Sequence, residues 1–346
     1  MTVSAAASPA APARSSDFTE LRRLVRAAGL LAPRPLAFAR SATCVVGGFA
    51  ACWLVFSLVG SSWWQLLVAA ALGVFATHFG FLGHDAGHHQ VFRGRGAQVV
   101  GLLAGDLAIG LSFGWWNEKH SAHHAYPNDV ERDPDVGAGA LVFDPAQSGA
   151  RTGVGRFFTR WQGVLFLPLL LLEGLNLQIA SLRASFSRAR DGRPLELVLL
   201  LCHHTAYLLV LLLFLPLGQA LAFLAVQKAA FGLYLGLSFA PNHKGMPLLT
   251  EAERGDHLRT QVLTARNVRP GRVVDVLLGG LNYQIEHHLF PMMPRQSLRA
   301  ARPIVRDFCE RVGVRYCETS LLTSYGQALK HLHAVGALLR QPALAD

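Results

Sequence analysis

Charge is what this sequence has least of. Asp, Glu, Lys and Arg make up 16% of its 346 residues, and 51% are hydrophobic. Soluble domains carry about 25% charge, so the composition points to a membrane protein. The five cysteines (Cys44, Cys52, Cys202, Cys309 and Cys317) include no C-x-x-C pair, and no disulfide framework is implied. Basic residues outnumber acidic ones 32 to 22, for a formal net charge of +10. No aromatic-basic interleaving or binding motif accompanies that excess, so nucleic acid is not an expected partner. The cations instead stand beside apolar segments, as topology signals and contacts for anionic lipid. Residues 1–16, rich in Ala, Ser and Pro, lack the basic and apolar regions of a secretory signal and are expected to be disordered. There is no internal repeat and no sign of a second soluble domain.

What is present is apolar sequence in long runs. Segments 41–61, 63–83, 161–180, 195–216 and 218–240 approach the roughly 20 apolar residues needed to cross a bilayer. Segment 98–116 is also apolar, but Gly-rich and interrupted by Asp106. The first two runs, joined by Gly60-Ser61-Ser62, form an out-and-back hairpin, as do 195–216 and 218–240 around Pro216-Leu217-Gly218. Segment 161–180 has Arg151, Arg156 and Arg160 before it and Arg183, Arg188, Arg190 and Arg193 after it. Crossing would strand one arginine cluster outside. It also contains Pro168, Glu173 and Asn176. Both 98–116 and 161–180 therefore read as re-entrant or interfacial helices. The expected fold is an all-α integral membrane protein with four spanning helices in two hairpins, plus these helices and a cytoplasmic histidine-rich cap. Arg22, Arg23, Arg26, Arg34 and Arg40 before the first span place the N-terminus in the cytoplasm, and parity places the C-terminus there too. The expected divisions are an N-terminal cytoplasmic segment at 1–34, a membrane domain at 35–310 and a C-terminal cytoplasmic tail at 311–346.

Histidine is the residue that clusters. Eight of 15 lie in three boxes, His84-Asp-Ala-Gly-His88-His89, His120-Ser-Ala-His123-His124 and Gln284-Ile-Glu-His287-His288, each where an apolar segment gives way to polar sequence. On a helix, the spacings of three and four residues put imidazoles on one face, a turn apart. Sites built this way from facing helices can hold a metal pair. Nearly all-nitrogen ligation favours Fe, Zn, Cu or Ni over Mg or Ca. One zinc needs only four ligands, so eight or nine histidines suit two irons better. His243, directly after the fourth span, is a ninth candidate. Gln284 occupies the first place of its box, as a weak ligand or an orienting group. Asp85, Asp106, Asn117, Glu118, Asp129, Asp133, Asp135, Asn242 and Glu286 are the nearby candidates to accept imidazole N–H groups.

These boxes resemble those of the membrane fatty acid desaturase family, particularly its acyl-lipid, acyl-CoA and front-end branch, which carries Gln in the third box. Matching stretches are Trp116-Asn-Glu-Lys-His120, His124-Ala-Tyr-Pro-Asn128, Phe239-Ala-Pro-Asn-His-Lys-Gly-Met246 and Gly280-Leu-Asn-Tyr-Gln-Ile-Glu-His-His-Leu-Phe-Pro291, within a match over roughly 35–310. The resemblance implies a non-haem centre of two iron ions, O2 as co-substrate and a long acyl chain, carried by CoA or lipid, into which a double bond is inserted. It assigns His84, His88, His89, His120, His123, His124, His287 and His288 to the boxes and His243 to the position after the fourth span, with His88 against His89 left open. Many front-end members carry a fused cytochrome b5 domain with a His-Pro-Gly-Gly motif, which this sequence does not contain. The expected electron source is therefore a separate ferredoxin-type or flavin reductase chain drawing on NAD(P)H.

Other readings stand beside this one. Hydroxylase chemistry could use the same scaffold, and a histidine-rich metal transporter would place ligands inside the spans. His78, His203 and His204 do lie within apolar runs, where hydrogen bonding in the bundle explains them. His257, His331 and His333 read as surface residues. Asp129, Asp133 and Asp135 read as a solvated acidic loop in preference to a cation loop. Trp115 and Trp116 are expected at a tunnel or interface. Lys119, Lys244, Arg254, Arg259, Arg266, Arg269 and Arg272 could form a basic surface for an acidic donor or an acyl headgroup.

Overall fold

The structure, a computed structural model, describes residues 16–137, 139–192, 194–250 and 255–340. The expected disorder of residues 1–15 falls outside them, as do Arg193 and Arg254. Among the described residues, five helices are long and apolar enough to cross a membrane: α2 (Pro35–Val59), α3 (Gln65–Gly87), α7 (Gly153–Arg190), α8 (Leu195–Phe214) and α9 (Leu217–His243). The remaining helices are α1 (Ser16–Ala27), α4 (Arg95–Leu102), α5 (Phe113–Ala125), α6 (Pro145–Gly149), α10 (His257–Leu263), α11 (Arg272–Leu277), α12 (Gln284–Leu289), α13 (Arg295–Arg311) and α14 (Leu321–Ala337). Strands β1 (Asn267–Val268) and β2 (Glu318–Thr319) pair in parallel.

Both expected hairpins form. Gly60, at φ 62°, stops α2, and the Gln65 amide donates to the carbonyls of Phe56 and Gly60 at 2.7 and 2.9 Å. Carbonyls that a helix end would leave orphaned are thereby satisfied. Trp63 and Trp64 are exposed at this tip, as expected where a chain turns in the bilayer interface. The second hairpin turns at Leu215-Pro216, and Gln219 donates to the carbonyl of Ser61, tying the two tips together. A shared core of Phe56, Leu72, Leu211 and Phe223 fills the space between them.

The region 161–180 belongs to one uninterrupted helix of 38 residues with Pro168 inside it. Its length makes it a fifth apolar helix where composition suggested an interfacial one. One face presents Val164, Leu167, Leu171 and Leu175 outward; the other buries Gln162, Gln178, Ser181 and Ser185. It meets α9 very closely. A Cβ built on Gly232 would lie 2.4 Å from the Gly174 nitrogen and 2.6 Å from the Leu170 carbonyl, so only glycine permits this backbone approach. Region 98–116 breaks into α4, a five-residue π-helical turn (Leu103–Leu107) and the start of α5, so it supplies no long helix.

Polar elements build a cap around the box-bearing ends of α3 and α9. Its core joins Leu21 and Val25 of α1, Leu258 and Val262 of α10, Ile285 and Leu289 of α12, and Leu298, Val305 and Phe308 of α13. The segment after residue 310 folds back: β2 pairs with β1, and α14 lies along α7 and α9. Arg266, expected on a basic surface, is fully buried instead. Its guanidinium donates to the carbonyls of Pro241 and Lys244 and to Gln327 and Ser324, stapling α14 to the end of α9.

Candidate metal centre

Local structure aims each box. His84 lies in the last turn of α3 and His88 caps the helix one turn on, its N–H donating to the His84 carbonyl at 3.1 Å. The chain then reverses at His89, whose φ of 53° is left-handed. Ser112 caps α5 by accepting from the Trp115 N–H at 3.1 Å, and His120, His123 and His124 follow on its last turns. Gly279 and Gly280, both at positive φ, lead into the six-residue α12, which carries His287 and His288. Pro241-Asn242-His243 closes α9.

Eight imidazoles converge. Ring nitrogens of His84, His88, His120 and His287 lie within 4.8 Å of one another, as do those of His123, His243 and His288. The shortest approaches in the first group are His88 Nε2 to His120 Nε2 at 2.8 Å and His84 Nε2 to His287 Nε2 at 3.1 Å. His124 bridges the groups: its Nε2 stands 3.1 Å from that of His120, and its ring stacks on His288 at 4.1 Å. Neighbours in sequence thus serve different groups, His287 the first and His288 the second. His89 is not brought to the cluster. It is exposed and borders a separate cavity of about 340 Å³ with Gln98, Asn117 and Glu196.

The second group has its outer nitrogens tied down. His123 Nδ1 donates to Asp133 Oδ2 at 2.9 Å, His243 Nδ1 to the Thr264 carbonyl at 3.1 Å and His288 Nδ1 to Gln261 Oε1 at 2.8 Å. Each bond fixes the tautomer that leaves a lone pair on Nε2, the arrangement typical of metal-bound histidine. The Nε2 of His288 is buried without a hydrogen-bond partner, and in this nitrogen-rich setting a cation is the partner that fits. Burial, reinforced by neighbouring imidazoles, holds His88, His120, His124, His287 and His288 well below the ordinary imidazole range, so their rings are neutral and able to ligate.

Several expectations change here. Asp129 and Asp133 are buried, at 1% and 3% exposure, so their loop is not solvated. Asp133 orients His123 and accepts the Asn128 N–H at 2.7 Å. Asp85 pairs with Arg295 at 3.0 Å, fastening box one to α13. Gln284 lies between Asn242, which donates to its Oε1 at 3.1 Å, and His243, whose Nε2 its amide meets at 2.9 Å. Glu286 accepts from Asn267 and Tyr316, Glu118 pairs with Arg188, and Asp106 accepts the Phe113 N–H; none of these meets an imidazole. Gln261 and Thr264 escaped sequence reading because neither lies near a box in the chain. Trp116 stacks on His120 at 4.5 Å, closing one side of the cluster.

The profile of the family described as Fatty acid desaturase matches residues 61–320. The chain is 30% identical over 335 residues to an acyl-lipid (9-3)-desaturase of Physcomitrium patens, covering 94% of this chain and 63% of that protein. It is 32% identical over 325 residues to a Delta(5) fatty acid desaturase of Caenorhabditis elegans, covering 90% and 72% respectively. It is 28% identical over 304 residues to a Delta(8)-fatty-acid desaturase of Helianthus annuus, covering 81% and 64%. The chain thus spans about two thirds of the length of these relatives.

Proposed function

This chain belongs to the fatty acid desaturase family, and from that premise we propose that it inserts a double bond into a long-chain acyl-CoA or acyl-lipid, using O2 and external electrons. The observation that carries this reading is the convergence of eight imidazoles, three of them with Nδ1 already committed to an oxygen. We assign one iron to His84, His88, His120 and His287 and a second to His123, His243 and His288, with His124 between them; His89 is left out. When bound, the iron pair supplies with O2 the oxidising power that an unactivated methylene demands and no side chain possesses.

The protein's own residues do the rest. Asp133, Thr264 and Gln261 keep His123, His243 and His288 turned inward. Gln284 meets the same His243 Nε2 that would ligate, so its amide turns aside when that nitrogen binds metal, or presents its oxygen as a weak ligand. Burial of His287 and His288 keeps bulk water from the reacting methylene.

For topology we favour four crossings, with α7 packed along the membrane boundary. Both ends of α7 bond to the segment that carries and follows box two: Gln162 to Val142 near its start, and Arg188 to Glu118 near its end. That arrangement suits a multi-pass protein of the cell membrane with its cap in the cytoplasm, served by a ferredoxin or flavin reductase chain using NAD(P)H. The test is the fatty-acid profile of a host expressing the chain with a ferredoxin-reductase pair, beside a His288→Ala control. A new alkene that depends on His288 supports desaturation. A new hydroxyl would assign a hydroxylase, and one exchangeable zinc without either product would revive the transporter reading.

A further inference from the structure

Among the described residues, the start of α7 gathers three guanidinium groups with no carboxylate paired to them. Arg156 and Arg160 stand one turn apart and are exposed, and neither forms an ion pair among the described residues. Arg340, from the far end of the chain, reaches the same place. It donates to the Arg160 carbonyl at 2.5 Å and to the His333 carbonyl at 2.9 Å. The guanidinium groups of Arg160 and Arg340 lie 5.6 and 5.8 Å from the centre of the Trp161 ring. A cavity of about 420 Å³ opens between Gly153, Arg156, Phe157, Arg160 and Trp161.

The surroundings say what this charge faces. Phe157, beside the arginines, is 56% exposed, and Val164, one turn beyond Trp161, is 69% exposed. Leu167, Leu171 and Leu172 continue that outward apolar face along the helix. Unpaired cations beside an amphipathic indole and bare hydrocarbon occur on a helix lying where headgroups meet lipid tails. At the other end of α7, Glu118 and Glu196 neutralise Arg188.

We propose that this cavity binds the headgroup of an anionic phospholipid. Its phosphate would accept from the forked donors of Arg156 and Arg160, an ion-pair geometry that guanidinium favours. Its acyl chains would cover Val164 and the leucines beyond. Free phosphate meets the first requirement and leaves the apolar face in water. A choline headgroup adds a cation beside three others. Because Arg340 joins the end of α14 to α7, a lipid held here would also brace the C-terminal helix. The site is independent of the metal chemistry, so its test does not read enzyme activity.

The experiment is native mass spectrometry of the full chain in detergent, with dioleoylphosphatidylglycerol or dioleoylphosphatidylcholine added. The wild type should retain the glycerol lipid at least about tenfold more than the choline lipid, given the strength of cation contacts to anionic lipid. Arg156→Gln/Arg160→Gln should lower retention to the choline level. Arg22→Gln/Arg23→Gln, which removes the same charge from exposed positions on α1, should leave it unchanged. Arg340→Gln should give an intermediate loss. Equal retention of the two lipids, an equal loss in the α1 variant, or complete displacement by millimolar inorganic phosphate would each overturn the proposal. So would cross-linking of an acidic ferredoxin to this patch with no lipid preference.

Discussion

At the scale of single residues, orientation separates a ligand from a bystander. His88 and His89 adjoin in sequence, yet one faces His120 at 2.8 Å and the other turns outward at φ 53°. Iron content should therefore fall by about one ion per chain in His88→Ala and stay at wild-type level in His89→Asn, a residue that tolerates left-handed backbone. Elemental analysis of the purified variants decides this, and equal losses would return both residues to the ligand set. Asp133 acts only through His123. Asp133→Asn should cost about 10–100-fold in metal affinity, the usual effect of losing an imidazole's carboxylate partner. Competition with a chelator measures it, and unaltered affinity would reduce Asp133 to a turn residue holding the Asn128 N–H.

Among elements, α7 and α14 show the limits of reading along the chain. The hairpins and the boxes were legible because their signals are local: runs of apolar residues, turn residues between them, and imidazoles one helical turn apart. The length of α7 was not, since Pro168 and Glu173 argue against a lipid-exposed span and nothing local shows that the helix runs on unbroken from Gly153 to Arg190. Gln261 and Thr264 were equally hidden, because a glutamine and a backbone carbonyl gain their roles only once α10 docks beside α12. The same holds for Arg266, which composition assigns to the surface and the fold buries. Arg266→Met removes donors to two carbonyls and a glutamine, and should destabilise the protein by on the order of 3 kcal/mol. The expected signs are a lower thermal midpoint and earlier proteolytic cutting in 320–340; an unchanged midpoint would mean that α14 is held by apolar contact alone. Gly232→Val should push α7 from α9 and lower the midpoint further, because the backbone contact leaves no room for a side chain.

For the molecule as a whole, burying this many imidazoles links stability to proton activity. His120, His124, His287 and His288 titrate well below the 6.5 of an unfolded chain, first because of burial and then because of one another. Below that pH the unfolded chain takes up protons that the folded one refuses, so unfolding becomes more favourable as pH falls, while above it these groups contribute no difference. Metal-stripped protein should lose several degrees of thermal midpoint between about pH 7.5 and about pH 5.5, and iron loading should raise the midpoint most at the upper end. A flat profile in the stripped protein would contradict neutral buried rings. The division of His287 and His288 between the two groups also has a consequence for synthesis. The first two boxes leave the ribosome some 160 residues before α12 does, and neither group is complete until that one short helix has been made and seated. Both sites therefore mature in a single late event, and a ribosome halted ahead of residue 287 leaves a membrane-inserted chain in which neither can close.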